Sequence, residues 1–230
     1  MERLTKTLRP ESAWRCSELL RALQDVAGED AARRGGGQAR LLSLGCTWVL
    51  VKNRLRLRRM PGAGEEIRLT TWPTSARFAL YPRRFTVETA AGETLVTADS
   101  LWAMMDVESR RLLPGEERGL ALEGVEEERF RPLRRIAVPE GGSVFTLTPA
   151  PEQIDENGHM NNAAYFDAVE PALPEELRGR PLCAAAVDYE HEILPGERVE
   201  LRCVRQGNVC LLEGSAEGRA CFRMELEYGE

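Results

Sequence analysis

The sequence is missing most of the features that assign a chain to a class at a glance. Its 230 residues include only two histidines, His159 and His191, and six cysteines with no C-x-x-C pair among them. Cys16, Cys46, Cys183, Cys203, Cys210 and Cys221 are scattered, most of them among apolar neighbours. Such spacing argues against a zinc site or a disulfide framework and fits reduced core thiols in a cytoplasmic protein. No apolar run reaches the roughly 18 residues of a membrane-spanning helix. The start, Met1-Glu2-Arg3-Leu4-Thr5, is polar and shows no apolar signal segment. Positive charge is not in excess: 31 Lys and Arg stand against 37 Asp and Glu, a net charge of −6. Neither nucleic acid nor an anionic membrane is therefore implied as a partner. No G-x-x-x-x-G-K-[ST] run exists, and Gly62-Ala63-Gly64 is a turn fragment rather than a dinucleotide fingerprint. Gly214-Ser215 lacks the flanks of a nucleophile elbow. No cofactor and no metal are expected.

What remains is an ordinary folded composition, 43% hydrophobic and 30% charged. The length suits one large domain or two of about 100 residues each. Two segments share a grammar. Met60-Pro61-Gly62-Ala63-Gly64-Glu65 and Leu194-Pro195-Gly196-Glu197 both read as strand, Pro-Gly turn, acidic residue, strand. Proline presets the turn and glycine accepts its left-handed position. Two such turns at matched places suggest a duplication.

The flanking pattern agrees. A short strand over 2–9 precedes a helix whose Trp14, Leu19, Leu20, Leu23, Val26 and Ala27 share a face, with Ser12 as cap and Gly35-Gly36-Gly37 as stop. Strands follow near 47–59, 66–74, 78–90 and 94–106. In Arg54-Leu55-Arg56-Leu57-Arg58 the period is two, one face apolar and one basic. Residues 107–141, rich in Glu, Arg, Gly and Pro, read as a connection, partly helical around 115–123. The second half repeats the order: a strand at 143–149, a helix near 161–170 cut short by Pro171 and Pro174, and strands near 182–193, 197–206, 209–216 and 220–228. The expected class is α+β, each half one long helix followed by a twisted antiparallel meander that receives its apolar stripe.

The chemistry concentrates in Asp155-Glu156-Asn157-Gly158-His159-Met160-Asn161-Asn162-Ala163-Ala164-Tyr165. It sets a carboxylate, useful amides and a histidine in one turn that opens a helix. About thirty residues on, Tyr189-Glu190-His191-Glu192 offers a second carboxylate on a strand-like stretch. Together they can position a water for attack on an acyl carbon. Taken singly, each group also has a plain reading: Asn-Gly as a turn, Asp155 as a cap, Glu192 as a solvated charge.

These runs resemble the D-x-N-x-H-x-N-N-x-x-Y and Y-x-x-E signatures of acyl-ACP thioesterases. Thr47-Trp48-Val49-Leu50-Val51 and Ser100-Leu101-Trp102-Ala103-Met104-Met105-Asp106, followed by Arg110-Arg111-Leu112, resemble further segments of that family. The resemblance covers nearly the whole chain and implies two tandem hotdog domains, residues 1–135 and 142–230, each a long helix wrapped by a twisted antiparallel sheet. It implies hydrolysis of acyl-acyl carrier protein, with the acidic carrier as partner. Where many plant members carry cysteine after the glutamate, Ile193 stands here, and an alkyl group cannot attack a thioester. Water, or a carboxylate as nucleophile, must act instead.

Under that reading Glu192, on a strand facing the apolar helix, would be a partly desolvated base. Asn157 would hold the water or the carbonyl. His159 would hydrogen-bond the water or Glu192 and protonate the leaving sulfur. Asp155 would orient the pair. Amides at a helix start near Asn161 and Asn162 would face the oxyanion, with Tyr165 completing the motif. His191 reads as structural or surface, on the strand face opposite Glu192. The first half has no Asn-x-His turn and would supply the acyl pocket, with Trp14, Leu19, Leu23, Trp48, Leu50 and Trp102 as candidate lining. Arg54, Arg56, Arg58, Arg83-Arg84, Arg110-Arg111, Arg131 and Arg134-Arg135 are candidates for docking an anionic carrier. Coenzyme A as carrier, and a non-catalytic acyl-binding scaffold, stay open, as do monomer and homodimer.

Overall fold

A computed structural model describes residues 2–120, 122–125 and 132–230. Among the described residues the chain is α+β, with few helices and ten strands in one antiparallel sheet. In the N-terminal half β1 (Leu4–Leu8) is followed by α1 (Cys16–Arg33) and α2 (Gln38–Ser43). Then come β2 (Cys46–Leu57), β3 (Ile67–Pro73), β4 (Leu80–Thr89) and β5 (Thr94–Asp106). In the C-terminal half β6 (Ser143–Leu147) and the single-turn α3 (Tyr165–Ala168) precede the remaining strands. These are β7 (Leu182–Tyr189), β8 (Val199–Gln206), β9 (Val209–Ala216) and β10 (Arg219–Tyr228). The order across the sheet is β1-β3-β4-β5-β2-β7-β10-β9-β8-β6.

Neither half is the simple meander expected: β2 pairs with β5 rather than β3, and β7 with β10 rather than β8, so the first long strand of each half lies beside its last and the halves join edge to edge. Strand β2 pairs with β5 on one side and with β7 on the other, Lys52 opposite Asp188 and Arg54 opposite Ala186. A charged cluster sits on this seam. The buried Asp188 carboxylate takes Arg54 at 2.5 Å, Lys52 at 3.1 Å and the Ile136 amide at 2.8 Å. Burial pushes this carboxyl up, but the amide and the two cations outweigh it and hold it below the usual carboxylate range.

Helix α1 begins later than expected. Arg15 occupies the cap position, its amide donating to Glu18 at 2.7 Å, and neither Ser12 nor Trp14 is helical. Leu19, Leu20, Leu23, Val26 and Ala27 are buried and join Phe85, Val187, Phe222 and Met224 in a core that spans both halves. Each large apolar side chain so buried contributes roughly 1.5–3 kcal/mol. The helix near 161–170 is shorter than expected. Only 165–168 is α-helical, and tighter turns follow at 170–172 and 175–177. Pro171 lacks the amide the next turn would need. Of 115–123, residues 115–118 form a 3-10 turn, and Arg131 lies outside the described residues.

The two Pro-Gly turns share one device. Glu65 accepts the Gly62 amide at 2.8 Å, and Glu197 accepts the Leu194 amide at 2.9 Å. Gly64 and Gly196 take φ +68° and +76°, which side-chain-bearing residues rarely adopt.

Candidate active site

The turn over 155–159 closes on itself. The Asp155 amide donates to the His159 carbonyl, and the Gly158 amide to the Asp155 carbonyl, each at 3.0 Å. Gly158 has φ +81°, which explains glycine between Asn157 and His159. The Asp155 carboxylate accepts the Asn157 amide at 2.9 Å and lies 3.8 Å from His159 Nδ1. The Asp155 side chain thus caps the turn through the Asn157 backbone amide and stands beside the His159 ring. His159 Nδ1 is also 3.3 Å from the Met160 carbonyl. The Met160 amide donates to the Ile193 carbonyl at 2.8 Å, stitching the turn to the segment that carries Glu192.

That segment is not a strand. Strand β7 stops at Tyr189, and the amides of Glu190 and His191 both donate to the Cys221 carbonyl, ending the ladder. Glu192 follows in a loop with its side chain 35% exposed, and its partner is Arg110, whose Nη2 is 2.9 Å from Oε2. The expectation that Glu192 lies on a strand is therefore corrected: it is ion-paired in a loop at a cavity wall. The same correction applies to His191, which lies in this loop with Nδ1 2.8 Å from the Ala220 carbonyl, and which also lines the cavity.

Asn161 and Asn162 do not begin a helix. The Asn161 amide donates to Gln153 at 2.8 Å, its side-chain oxygen takes the Ala163 amide at 2.9 Å, and the four-residue α3 starts at Tyr165. A helix so short has little dipole to offer, so the oxyanion role expected of these amides loses its basis. The Asn162 carbonyl accepts the Tyr189 hydroxyl at 2.8 Å. Buried Tyr165 meets Tyr189 and Phe222 edge to face, at 5.3 and 4.9 Å between ring centres. Burial pushes both tyrosine hydroxyls well above their ordinary pKa.

The candidate site residues line one cavity of about 1150 Å³. Asp155, Asn157, His159, Asn161, Asn162, Tyr165 and Glu192 contribute from the C-terminal half, and Trp48 and Trp102 from the N-terminal half. Trp48 is fixed by donation to the Gly36 carbonyl at 2.8 Å and by an edge contact with Tyr81, and Trp102 by donation to Ser100 at 2.8 Å. Leu50 lines the cavity as expected, whereas Trp14, Leu19 and Leu23 do not. Leu19 and Leu23 point into the core, and α1 turns Gln24, Ala27, Gly28 and Ala31 towards the cavity instead. Arg110 is the site residue whose position sequence reasoning missed. Its pairing with Glu192 spans 82 positions, and no local pattern announces it.

Most of the candidate docking arginines are engaged within the chain. Arg54 holds Asp188, Arg58 holds Glu93, buried Arg83 holds Asp30 at 2.7 Å, and Arg135 holds Glu190. Among the described residues no group of three or more His, Cys, Asp or Glu could hold a metal ion. No helix among them is long and apolar enough to cross a membrane.

Comparison with known proteins bears on the family and the fold. The acyl-ACP thioesterase N-terminal domain matches residues 10–117, and the acyl-ACP thioesterase C-terminal domain matches residues 142–227. An acyl-[acyl-carrier-protein] hydrolase, FATB1, chloroplastic, of Cuphea viscosissima is 31% identical over 156 residues, covering 63% of this chain. The aligned part is 37% of that relative, so the chain spans little more than a third of its length. The crystal structure of an acyl-ACP thioesterase from Bacteroides thetaiotaomicron superposes with a TM-score of 0.89 at 24% identity, over 99% of this chain and 98% of that one. The 12:0-ACP thioesterase from Umbellularia californica gives a TM-score of 0.78 at 19% identity, over 99% and 97%. These structural likenesses bear on the fold, and the two domain matches on the family: the chain belongs to the acyl-ACP thioesterase family.

Proposed function

We propose that this member of the acyl-ACP thioesterase family hydrolyses the thioester of acyl-acyl carrier protein, releasing free fatty acid. The observation that carries the reading is the meeting of Asp155, Asn157, His159 and Glu192 on the wall of one cavity that continues along α1. Glu192 takes a proton from water as the water oxygen bonds to the thioester carbon. The Asn157 side-chain amide donates to the carbonyl oxygen as negative charge develops there. The carbon–sulfur bond then breaks, and His159, held by Asp155, delivers a proton to the leaving sulfur. Products are a fatty acid and the carrier thiol. Ile193 leaves no thiol at the position after Glu192.

The halves are read as tandem hotdog units, 1–135 around α1 and 142–230 around the shortened α3. The first supplies the acyl pocket and the second the reacting groups. Coenzyme A as carrier is the second reading.

Release of free thiol from acyl-carrier-protein and acyl-CoA substrates of several chain lengths tests the proposal. Faster turnover of the carrier-protein series is expected. Preference for the CoA series would shift the carrier, and absence of thiol release from both would leave an acyl-binding protein.

A further inference from the structure

We infer that Arg110, supplied by the N-terminal half, is a positioning residue for Glu192 and makes turnover at the C-terminal site depend on both halves. The inference rests on the hydrolase reading above. Its first support is contact: Arg110 Nη2 lies 2.9 Å from Glu192 Oε2, and both residues line the cavity that holds His159 and Asn157. Its second is backbone strain. Arg110 has φ +59°, one of three left-handed non-glycine residues among those described. Such strain persists only where surrounding structure fixes it, and it collects at functional sites.

The turn that fixes it is heavily bonded. The Asp106 carboxylate accepts both the amide and the hydroxyl of Ser109 at 2.8 Å and pairs with Arg118. Those contacts, the Ser109 amide foremost, hold the Asp106 carboxyl down at about 2. The Arg110 amide donates to the Asp106 carbonyl at 3.0 Å, and the Val107 amide to the Gly45 carbonyl at 2.9 Å. These bonds pin the Arg110 Cα, so the guanidinium reaches Glu192 from a fixed point on the N-terminal half. Glu192 sits in a loop, not on a strand, so no ladder fixes its direction. The guanidinium supplies that fix from the wall of the cavity that Glu192 shares with His159.

Arg111 is the internal control. It neighbours Arg110, its side chain is 62% exposed against 58%, and it pairs with Glu117 instead. Steady-state thiol release on one acyl-carrier-protein substrate is compared for wild type, Arg110→Gln, Arg110→Lys and Arg111→Gln, with thermal melting as the fold check. Arg110→Gln is expected to lower kcat about tenfold with KM changed less than twofold, Arg110→Lys to recover most of the loss, and Arg111→Gln to keep the wild-type kcat whatever its KM. A raised KM with unchanged kcat in Arg110→Gln would make Arg110 a carrier contact and overturn the inference. Equal effects from Arg110→Gln and Arg111→Gln would overturn it too. If Arg110→Gln melts early, Arg110→Gly, which suits the left-handed backbone, is read in its place against the same criteria. Absence of turnover in wild type would instead remove the hydrolase reading itself.

Discussion

The backbone amide of Met160 donates to the carbonyl of Ile193 across 2.8 Å. This one bond joins the residue after His159 to the residue after Glu192, two segments 33 positions apart in the chain. It sets the histidine turn and the carboxylate loop in register without involving either functional side chain, so site substitutions can be read as chemistry rather than as lost folding.

The first such substitutions are His159→Ala and Asn157→Ala. Loss of a general acid lowers kcat by about 10²–10⁴-fold. Loss of one oxyanion donor lowers it by about 10²–10³-fold. In the proposed mechanism the two groups share one turn and act on the same tetrahedral intermediate, so the double variant should fall well short of the product of the single losses. Multiplicative losses would show that they act independently.

Gly28 lies within α1 and lines the cavity, and a Cβ placed there meets nothing within 4 Å. Gly28→Ala should raise stability by about 0.5–1 kcal/mol, the usual gain on removing glycine from a helix interior. Gly28→Leu should fill cavity space and shift the preferred acyl chain to shorter lengths. Denaturant melts and a chain-length panel check both. An unchanged length profile in Gly28→Leu would place the acyl chain elsewhere.

Asp188 ties the seam between the halves, and its replacement leaves Arg54 and Lys52 as near-buried cations without a counter-charge. Because both keep some contact with water, Asp188→Asn should cost about 2–3 kcal/mol, below the ~3–5 kcal/mol of a fully buried pair. The folded carboxyl is depressed, so its stabilisation is complete above the unfolded pKa of about 3.9 and is lost as pH falls through the lower folded value. The gap between wild type and Asp188→Asn should therefore be full at pH 7 and close below about pH 4. A gap that stays constant across that range would show that the ion pair is not its source.

Much of this was legible in the sequence because period-two patterns and Pro-Gly turns are local. Strands β5 and β9 fall on the expected 94–106 and 209–216, and the Pro195-Gly196 turn appears with its acidic partner. The Asp155–His159 turn was readable because aspartate, Asn-Gly and histidine each carry their own conformational preference. The edge pairing of β2 with β7 was not readable, since register between distant strands leaves no local trace. Nor was the end of β7 at Tyr189: Glu190, His191 and Glu192 continue a strand-like run, and only the doubled bond to the Cys221 carbonyl terminates it. The short α3 reflects side-chain bonds of Asn161 that compete with helix, an outcome that intrinsic propensity alone does not settle.

The most direct measurement is single-turnover release of thiol from an acyl-carrier-protein substrate by Glu192→Gln beside wild type, with melting curves for both. Glutamine keeps the size of the side chain and its hydrogen bonding but cannot accept the proton. The account predicts an intact fold, retained substrate binding, and a rate lower by about 10²–10⁴-fold. A Glu192→Gln protein that releases thiol at the wild-type rate would contradict it.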